Sequence, residues 1–343
     1  MTKISIALPV YNGADFIKEA IESILIQDYK DFELVIVDNA SKDDTFAIAD
    51  SFAQKDNRIK LFSFKEHLGQ VDNVNRTAQL CNYEWIHFFC HDDIMLQGCV
   101  KNVVETIEKI KDNTDIALIS HKPAVLYMNG IVKAPSNMID GKSVFTYEYF
   151  VENFRIDSLS FKIHNKRETA YNIINGKVPY LPALTTGIVK KEVFEVLGGF
   201  DKEYIHFDIF LWMNLLKNSS YLELNKAFTL TRIHGNQVAI HARKSLRTIK
   251  DHKIFWKKYL NTITNKPTLR QKTFVFLKPI TTATGIITIA IMRFGIFSGL
   301  KVLFKLPIYW LPFILIYYPK RYLNEKKNNK ELLKHVPIEM VHP

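Results

Sequence analysis

Along the first 120 residues the apolar positions switch repeatedly between a period of two and a period near 3.6, and each switch marks a strand handing over to a helix. Ile4, Ile6, Leu8 and Val10 alternate with other residues as in a strand, and after Tyr11-Asn12-Gly13 the positions Phe16, Ile17, Ala20, Ile21, Ile24 and Leu25 take up helical spacing. The nearly continuous apolar run 33–37 predicts a strand ending at Asp38, followed by the polar turn Asn39-Ala40-Ser41 and a helix through Phe46, Ile48 and Phe52. A third strand over 58–64 leads to Gly69 and a polar helix around 73–80. A fourth strand, 85–89, empties into Cys90-His91-Asp92-Asp93, and a helix near 100–110 and a strand at 116–119 extend the series. Successive βα units of this kind predict an α/β fold: a mostly parallel sheet with helices on both faces and ligands outside the carboxyl ends of the strands. Asp38 and Asp92 both fall at such ends.

The pattern is less regular over 121–180, where Asn129-Gly130 marks a hairpin and 145–154 an aromatic helix. Order returns at Leu184-Thr185-Thr186-Gly187, with a helix over 191–197, the turn Gly198-Gly199, and a helix beginning near Asp208 that turns Leu211, Trp212, Leu215 and Leu216 inward. Strands at 221–224 and 227–233 close this part. The stretch 274–318 is the most apolar, yet Lys278, Arg293, Lys301 and Lys305 break it into uncharged runs of about 14 residues, short of the roughly 20 that a spanning helix needs. Helices lying in a membrane interface are therefore expected, with Tyr309, Trp310, Tyr317 and Tyr318 beside Lys320 and Arg321 at the headgroup level. A helical cap packed on the domain, or a dimer interface, is the plain alternative and leaves a homo-oligomer open.

With 343 residues, 47% of them hydrophobic, the chain can bury one large core and carry a second, smaller region. Cys81, Cys90 and Cys99 form an odd, evenly spaced set that suits neither a disulfide framework nor a zinc site, which fits a reducing compartment. The opening segment lacks the apolar core and cleavage site of a secretory signal, so a start inside the cell is expected. The formal charge of +11 is unevenly distributed: from Arg243 onward there are 20 Lys/Arg against 4 Asp/Glu, and before it 26 against 31. A segment both basic and apolar suits an anionic membrane surface; nucleic acid is not expected, because no binding motif accompanies the charge. The expected division is a catalytic domain over 1–242, with its acceptor-side part at about 121–242, and a basic helical membrane-associating tail over 243–343. This places the protein on the cytoplasmic face of the membrane, peripheral or monotopic. No glycine-rich phosphate loop or nucleophile elbow supports an ATPase or hydrolase.

Adjacent acids after an apolar strand, as in Cys90-His91-Asp92-Asp93, repel one another unless they are solvated or share a cation, and Mg²⁺ or Mn²⁺ takes such oxygen ligands together with substrate phosphates. Alone, an Asp-Asp pair is equally explained by a helix N-terminus. The ordered set says more. Leu8-Pro9-Val10-Tyr11-Asn12-Gly13, Ser23 and Gln27, Val37-Asp38-Asn39-Ala40-Ser41 with Asp43-Asp44-Thr45, His67-Leu68-Gly69 with Asn75, and Cys90-His91-Asp92-Asp93 together resemble family 2 of the inverting glycosyltransferases, which have the GT-A fold. The resemblance runs over about 3–240 and is of the bacterial cell-surface polysaccharide type.

It implies that Pro9, Tyr11 and Asn12 lie near the base and ribose of a nucleotide-sugar donor, that Asp38 is a base-binding acid, and that Ser41, Gly69, Asn75 and His91 belong to the donor site. Asp92, helped by Asp93, would hold the metal. Gly198-Gly199-Phe200-Asp201 followed by Asp208 is similar to the acceptor-side segment in which an acid opens a helix, which makes Asp208 the general base; N-capping is the alternative. Thr231-Arg232-Ile233-His234 is similar to the family's closing Arg-x-His, with Arg232 for diphosphate oxygens and His234 for the metal. The sequence departs from the family in Asn39-Ala40 for Asp-Gly, in Cys90 where an acid is usual, and in Phe207-Asp208 for Glu-Asp. The function implied is metal-dependent inverting transfer of a hexosyl group from a nucleotide diphosphate donor, a UDP-sugar by expectation, to a lipid-linked saccharide in polysaccharide synthesis. A silent nucleotide-sugar binder at the membrane and a basic membrane adaptor are the competing readings.

Overall fold

The computed structural model describes residues 2–134, 143–154, 159–175, 181–234, 247–264, 266–273, 275–278 and the single positions Leu306, Trp310, Ile314, Tyr318, Pro319 and Leu323. The stretch 279–305, where interfacial helices are expected, lies outside the described residues, as do Tyr309, Tyr317, Lys320 and Arg321. Trp310 and Ile314 are buried. Among the described residues no helix is long and apolar enough to cross a membrane.

The alternation read along the chain divides each strand between two cores. In β1 (Ile4–Val10), Ile4, Ile6 and Leu8 face one way with α1 (Ile17–Leu25), while Ala7 faces the other. Strand β2 (Phe32–Asp38) splits likewise, Leu34 and Ile36 against Val35 and Val37, and is buried along its length because helices cover both faces. After α2 (Thr45–Ala53), β3 (Ile59–Ser63) pairs parallel with β2, and α3 (Gln70–Leu80) precedes β4 (Trp85–Phe88), which pairs parallel with β1. Helix α4 (Cys99–Ile110) follows the short β5 (Ile94–Met95) and packs on the first core through Val100, Val103, Val104 and Ile107. The expected mostly parallel sheet is present on this side.

The other half is mixed. Strand β6 (Ile116–Tyr127) is three times the expected length and turns back through Gly130, at φ +80°, into β7 (Ile131–Lys133), which pairs with β8 (Val144–Thr146) ahead of α5 (Tyr147–Asn153). Strand β9 (Phe161–His164) and α6 (Lys166–Ile174) come next. A 3-10 turn over Leu184–Thr186 leads into β10 (Gly187–Lys190), which inserts antiparallel between β4 and β6; α7 (Lys191–Val196) and α8 (Phe207–Leu215) follow it. The two strands expected at 221–224 and 227–233 are one strand, β11 (Ser220–Ile233), whose register against β6 shifts between Glu223 and Ala227. The main path of the sheet runs β3-β2-β1-β4-β10-β6-β11-β5. Helix α9 (Arg247–Ile263), though beyond residue 242, places Phe255, Trp256, Tyr259 and Leu260 in the same core as α3 and α8.

His87 on β4 and His121 on β6 are fully buried in this sheet, and burial pushes their imidazoles down to about 4 and about 3. Their folded-state values lie below the unfolded one, so the stability they allow is present above about pH 6.5. It is expected to fall by about 1.4 kcal/mol per pH unit for each histidine as the pH drops from there towards their folded values. A His121→Phe variant that keeps the parent's pH dependence of unfolding free energy between pH 6.5 and 4.5 in urea titrations would contradict this, since the comparison cancels the contributions of other buried groups.

Candidate active site

The loops that leave β1, β2, β3 and β4 meet above the carboxyl edge of the sheet and are tied to one another by side chains. Asn12 sits at φ +49°; its N–H donates to Ser41 Oγ (2.9 Å) and its Oδ1 accepts the Lys42 N–H (2.9 Å). Gly13 donates to Thr45 Oγ1 at 2.8 Å, and a Cβ there would lie 2.4 Å from the His91 ring, so glycine is required for His91 to reach its place. Asp38 is buried and accepts from Ser63 Oγ (3.1 Å) and the Ser41 N–H (3.3 Å).

Asn39 is the centre of this arrangement. Its Nδ2 donates to the Leu68 carbonyl (2.7 Å), while its Oδ1 accepts the Leu68 N–H (2.9 Å) and an Arg76 guanidinium N–H (3.0 Å). An aspartate could not donate, so the amide that replaces the family's usual acid fastens the β3–α3 loop onto β2. That loop brings His67 against Tyr11, ring centroids 4.1 Å apart, with Tyr11 partly exposed in the cleft. Ala40 is held at φ +60°, where a Cβ is strained. Ala40→Gly is expected to stabilise the protein by up to about 1 kcal/mol, the relieved strain exceeding glycine's extra chain entropy. An unchanged or lowered urea midpoint would show that the loop carries no such strain.

Beyond β4 the chain places Asp92 Oδ2 2.8 Å from His234 Nε2 at the end of β11. Burial opposes ionisation of Asp92, but the His234 hydrogen bond and the nearby His91 hold its carboxyl below the usual range. Asp93 is buried, and its Oδ1 accepts the Arg232 N–H at 3.0 Å, pinning β11 to the β4–β5 turn. Burial and then the Asp92 charge push the Asp93 carboxyl well above the carboxylate range. The Cys90 sulfur and one oxygen each of Asp92 and Asp93 lie within 4.8 Å of one another. Burial, then Asp93, Asp92 and Asp208, push the Cys90 thiol up. Two carboxylates this close and an adjoining imidazole are the oxygen-rich set that a Mg²⁺ or Mn²⁺ ion would relieve of mutual repulsion.

Asp208 lines the same cleft from the first turn of α8. Its Oδ2 accepts the Leu184 N–H (3.0 Å) and its Oδ1 the Ile209 N–H (2.8 Å), which fixes its rotamer. Burial raises its carboxyl above the ordinary range, and those hydrogen bonds and His206 offset only part of the rise. Raised basicity in a fixed carboxylate suits a group that must accept a proton. The Gly-Gly turn upstream is also explained: Gly198 and Gly199 have φ +79° and +72°, and a Cβ on Gly199 would lie 2.8 Å from Asn75 Oδ1.

One cleft of about 770 Å³ gathers Pro9, Tyr11, Asn12, His91, Asp92, Asp93, Asp208 and His234. Asp38, Ser41, Gly69, Asn75 and Arg232 do not line it. Gly69 precedes α3, and Asn75 exchanges hydrogen bonds with both backbone groups of Phe200, at 2.8 and 2.9 Å. The Arg232 guanidinium bonds the Asp92 carbonyl (3.0 Å) and pairs with Glu19. The cleft also takes in His67, Thr185 and His206. His67 belongs to the segment His67-Leu68-Gly69 singled out in the sequence, Thr185 arrives through the 3-10 turn before β10, and His206 stands two residues before Asp208.

Residues 5–156 match the family "Glycosyl transferase family 2". An uncharacterised glycosyltransferase of Rickettsia typhi is 27% identical over 268 residues, 77% of this chain and 73% of that protein. The GalNAc(5)-diNAcBac-PP-undecaprenol beta-1,3-glucosyltransferase of Campylobacter jejuni is 26% identical over 249 residues, 71% and 70% of the two chains. Among solved structures, S. aureus TarS 1-349 in complex with UDP-GlcNAc superposes with a TM-score of 0.59 at 16% identity, over 96% of this chain and 92% of the other. The mannosyltransferase PcManGT from Pyrobaculum calidifontis, in complex with GDP-Man and Mn²⁺, gives 0.53 at 16% identity, over 94% and 87%. These likenesses establish the GT-A fold.

Proposed function

We propose that this chain, whose residues 5–156 match glycosyltransferase family 2, is a cation-dependent inverting enzyme that moves a hexosyl group from a UDP-sugar to a hydroxyl of a lipid-linked saccharide. The observation that carries the reading is that one cleft is lined by Asp92, Asp93 and His234 together with Asp208. Tyr11, Pro9 and Asn12 hold the nucleoside end of the donor, with the Tyr11–His67 ring pair as its stacking surface. Asp92, with His234 and Asp93 beside it, would hold Mg²⁺ or Mn²⁺ at the diphosphate. A bound cation there supplies neutralisation of the charge that grows on the leaving diphosphate. Asp208 takes the proton from the acceptor hydroxyl as its oxygen bonds to the anomeric carbon, and the opposite C–O bond breaks with its electron pair leaving on the nucleoside diphosphate. Attack from the face opposite the leaving group inverts the anomeric centre.

The lipid-linked acceptor and the cytoplasmic face of the membrane rest on the basic, apolar C-terminal sequence and on the undecaprenol-linked substrate named for the Campylobacter relative. A role in cell-surface polysaccharide assembly follows from that acceptor class. The decisive experiment incubates the full chain with a panel of nucleotide sugars, a polyprenyl-diphosphate saccharide and Mg²⁺ or Mn²⁺, and reads nucleoside diphosphate release and the product anomer by NMR. Cation-dependent release with an inverted product is expected; donor binding without turnover across the panel would make the chain a silent binder.

The C-terminal region carries a separate prediction. The full chain is expected to float with anionic liposomes, less at high salt because each basic residue adds about 1 kcal/mol that ions screen, whereas a truncation ending at residue 273 stays in the soluble fraction. Equal behaviour of the two chains would make the region a packing or dimerisation element.

A further inference from the structure

The wall of the cleft that carries Asp208 is backed by α9. Asp251, on the second turn of α9, is 3% exposed, and its Oδ2 accepts the N–H of Ile205 at 2.8 Å. Ile205, His206, Phe207 and Asp208 all line the cleft, so this bond holds the backbone one residue before the N-cap of α8 and three before Asp208. Burying a carboxylate is costly unless it is well paired, and among the described residues it accepts that one backbone hydrogen bond and faces the positive end of α8. The surrounding contacts are aromatic: Phe255 stacks on Phe210 of α8 (centroids 4.0 Å, planes 7° apart), Tyr204 meets the edge of Phe210 at 4.7 Å, and His252 lies 6.0 Å from His206. Trp256 Nε1 donates to His252 Nδ1 at 3.1 Å, which fixes the imidazole that faces the loop.

We propose that Asp251 is a positioning residue for the transfer, holding the 205–208 segment so that the Asp208 carboxylate meets the acceptor hydroxyl, and that α9 thereby completes the catalytic domain. The inference rests on the assignment of Asp208 as general base. Misplacing a catalytic group by about 1 Å costs up to about a hundredfold in rate, and loss of one backbone anchor three residues away permits such a shift. An asparagine keeps an oxygen that can accept the Ile205 N–H, whereas alanine offers none.

The test uses the full chain with saturating cation. Asp251→Ala is expected to lower kcat about ten- to a hundredfold with donor KM within about twofold, and Asp251→Asn to recover most of that loss. The double variant Asp251→Ala/Asp208→Asn is expected to be no slower than Asp208→Asn alone, because the anchor acts only through that carboxylate. A general loss of structure would instead raise donor KM and add to the Asp208 effect. If the alanine variant fails to fold, Asp251→Ser, too short to reach the Ile205 N–H, takes its place with the same expectations. Normal kcat in Asp251→Ala, or full additivity with Asp208→Asn, overturns the proposal while leaving Asp208 as the base. A fully active Asp208→Asn overturns the base assignment itself.

Discussion

Asp92→Ala is expected to abolish transfer, by on the order of a thousandfold or more, while the protein remains folded. Among the described residues the side chain bonds His234, which also lines the cleft, and the Arg232 guanidinium bonds the backbone carbonyl of residue 92, which the substitution keeps. The fold therefore loses little. What is lost is the carboxylate whose ionised form the His234 bond and His91 favour, and with it the anchor proposed for the cation at the leaving diphosphate. Several kcal/mol of transition-state charge stabilisation depend on such an ion, which sets the expected size of the effect. Asp93→Asn is expected to do less harm, since an amide oxygen can still accept the Arg232 N–H that ties β11 in place. The measurement is steady-state release of nucleoside diphosphate over a Mn²⁺ titration, with circular dichroism to follow the fold. Near-normal turnover of Asp92→Ala at saturating cation would remove Asp92 from the metal role.

The sequence made this half of the site readable because the period change at each strand end is strong and local. Leu34, Val35, Ile36 and Val37 must be a strand covered on both faces, and whatever follows such a strand in an α/β sheet lies at the ligand edge. Asp92 is reached on that ground, whereas Asp208 is reached through the resemblance of Gly198-Gly199-Phe200-Asp201 and the helix after it to the family's acceptor-side segment. Three things could not be reached in either way. Strand β10 enters antiparallel between β4 and β6, and its four residues carry no mark of direction. The bend of β11 between Glu223 and Ala227 reads as a break, because the pairing with β6 that continues across it is a long-range fact. The work of Asn39 is hidden for a different reason: against a family with aspartate there, an amide looks like a loss, and only the Leu68 backbone, 29 residues away, gives it both a donor and an acceptor to satisfy. Residues that line the cleft could be named in advance more readily than residues that hold the lining in place. The first share a short motif, whereas Asn75 and Phe200 are joined across 125 positions.

Asp208→Asn is expected to cut the rate at saturating substrates by about a hundredfold or more, with donor affinity changed by no more than a few-fold. The asparagine is close to isosteric, and its oxygen can still accept the Leu184 or Ile209 N–H, so the start of α8 stays where it is. It cannot accept the proton of an acceptor hydroxyl. The donor-side loops, bound to one another through Asn12, Ser41 and Asn39, do not depend on the substitution, so the donor should bind as before. The pH profile gives an independent check. Burial raises the Asp208 carboxyl above the ordinary carboxylate range, and a general base is active only when deprotonated. Turnover in the parent protein should therefore fall as the pH drops through that raised value, earlier than an exposed aspartate near 3.9 would dictate, and the residual rate of Asp208→Asn should lack this limb. Donor affinity is measured by calorimetry with a non-hydrolysable nucleotide sugar, and rate by product formation between pH 4.5 and 8. If the variant loses donor binding but keeps its rate at saturation, Asp208 belongs to the donor site and another group deprotonates the acceptor.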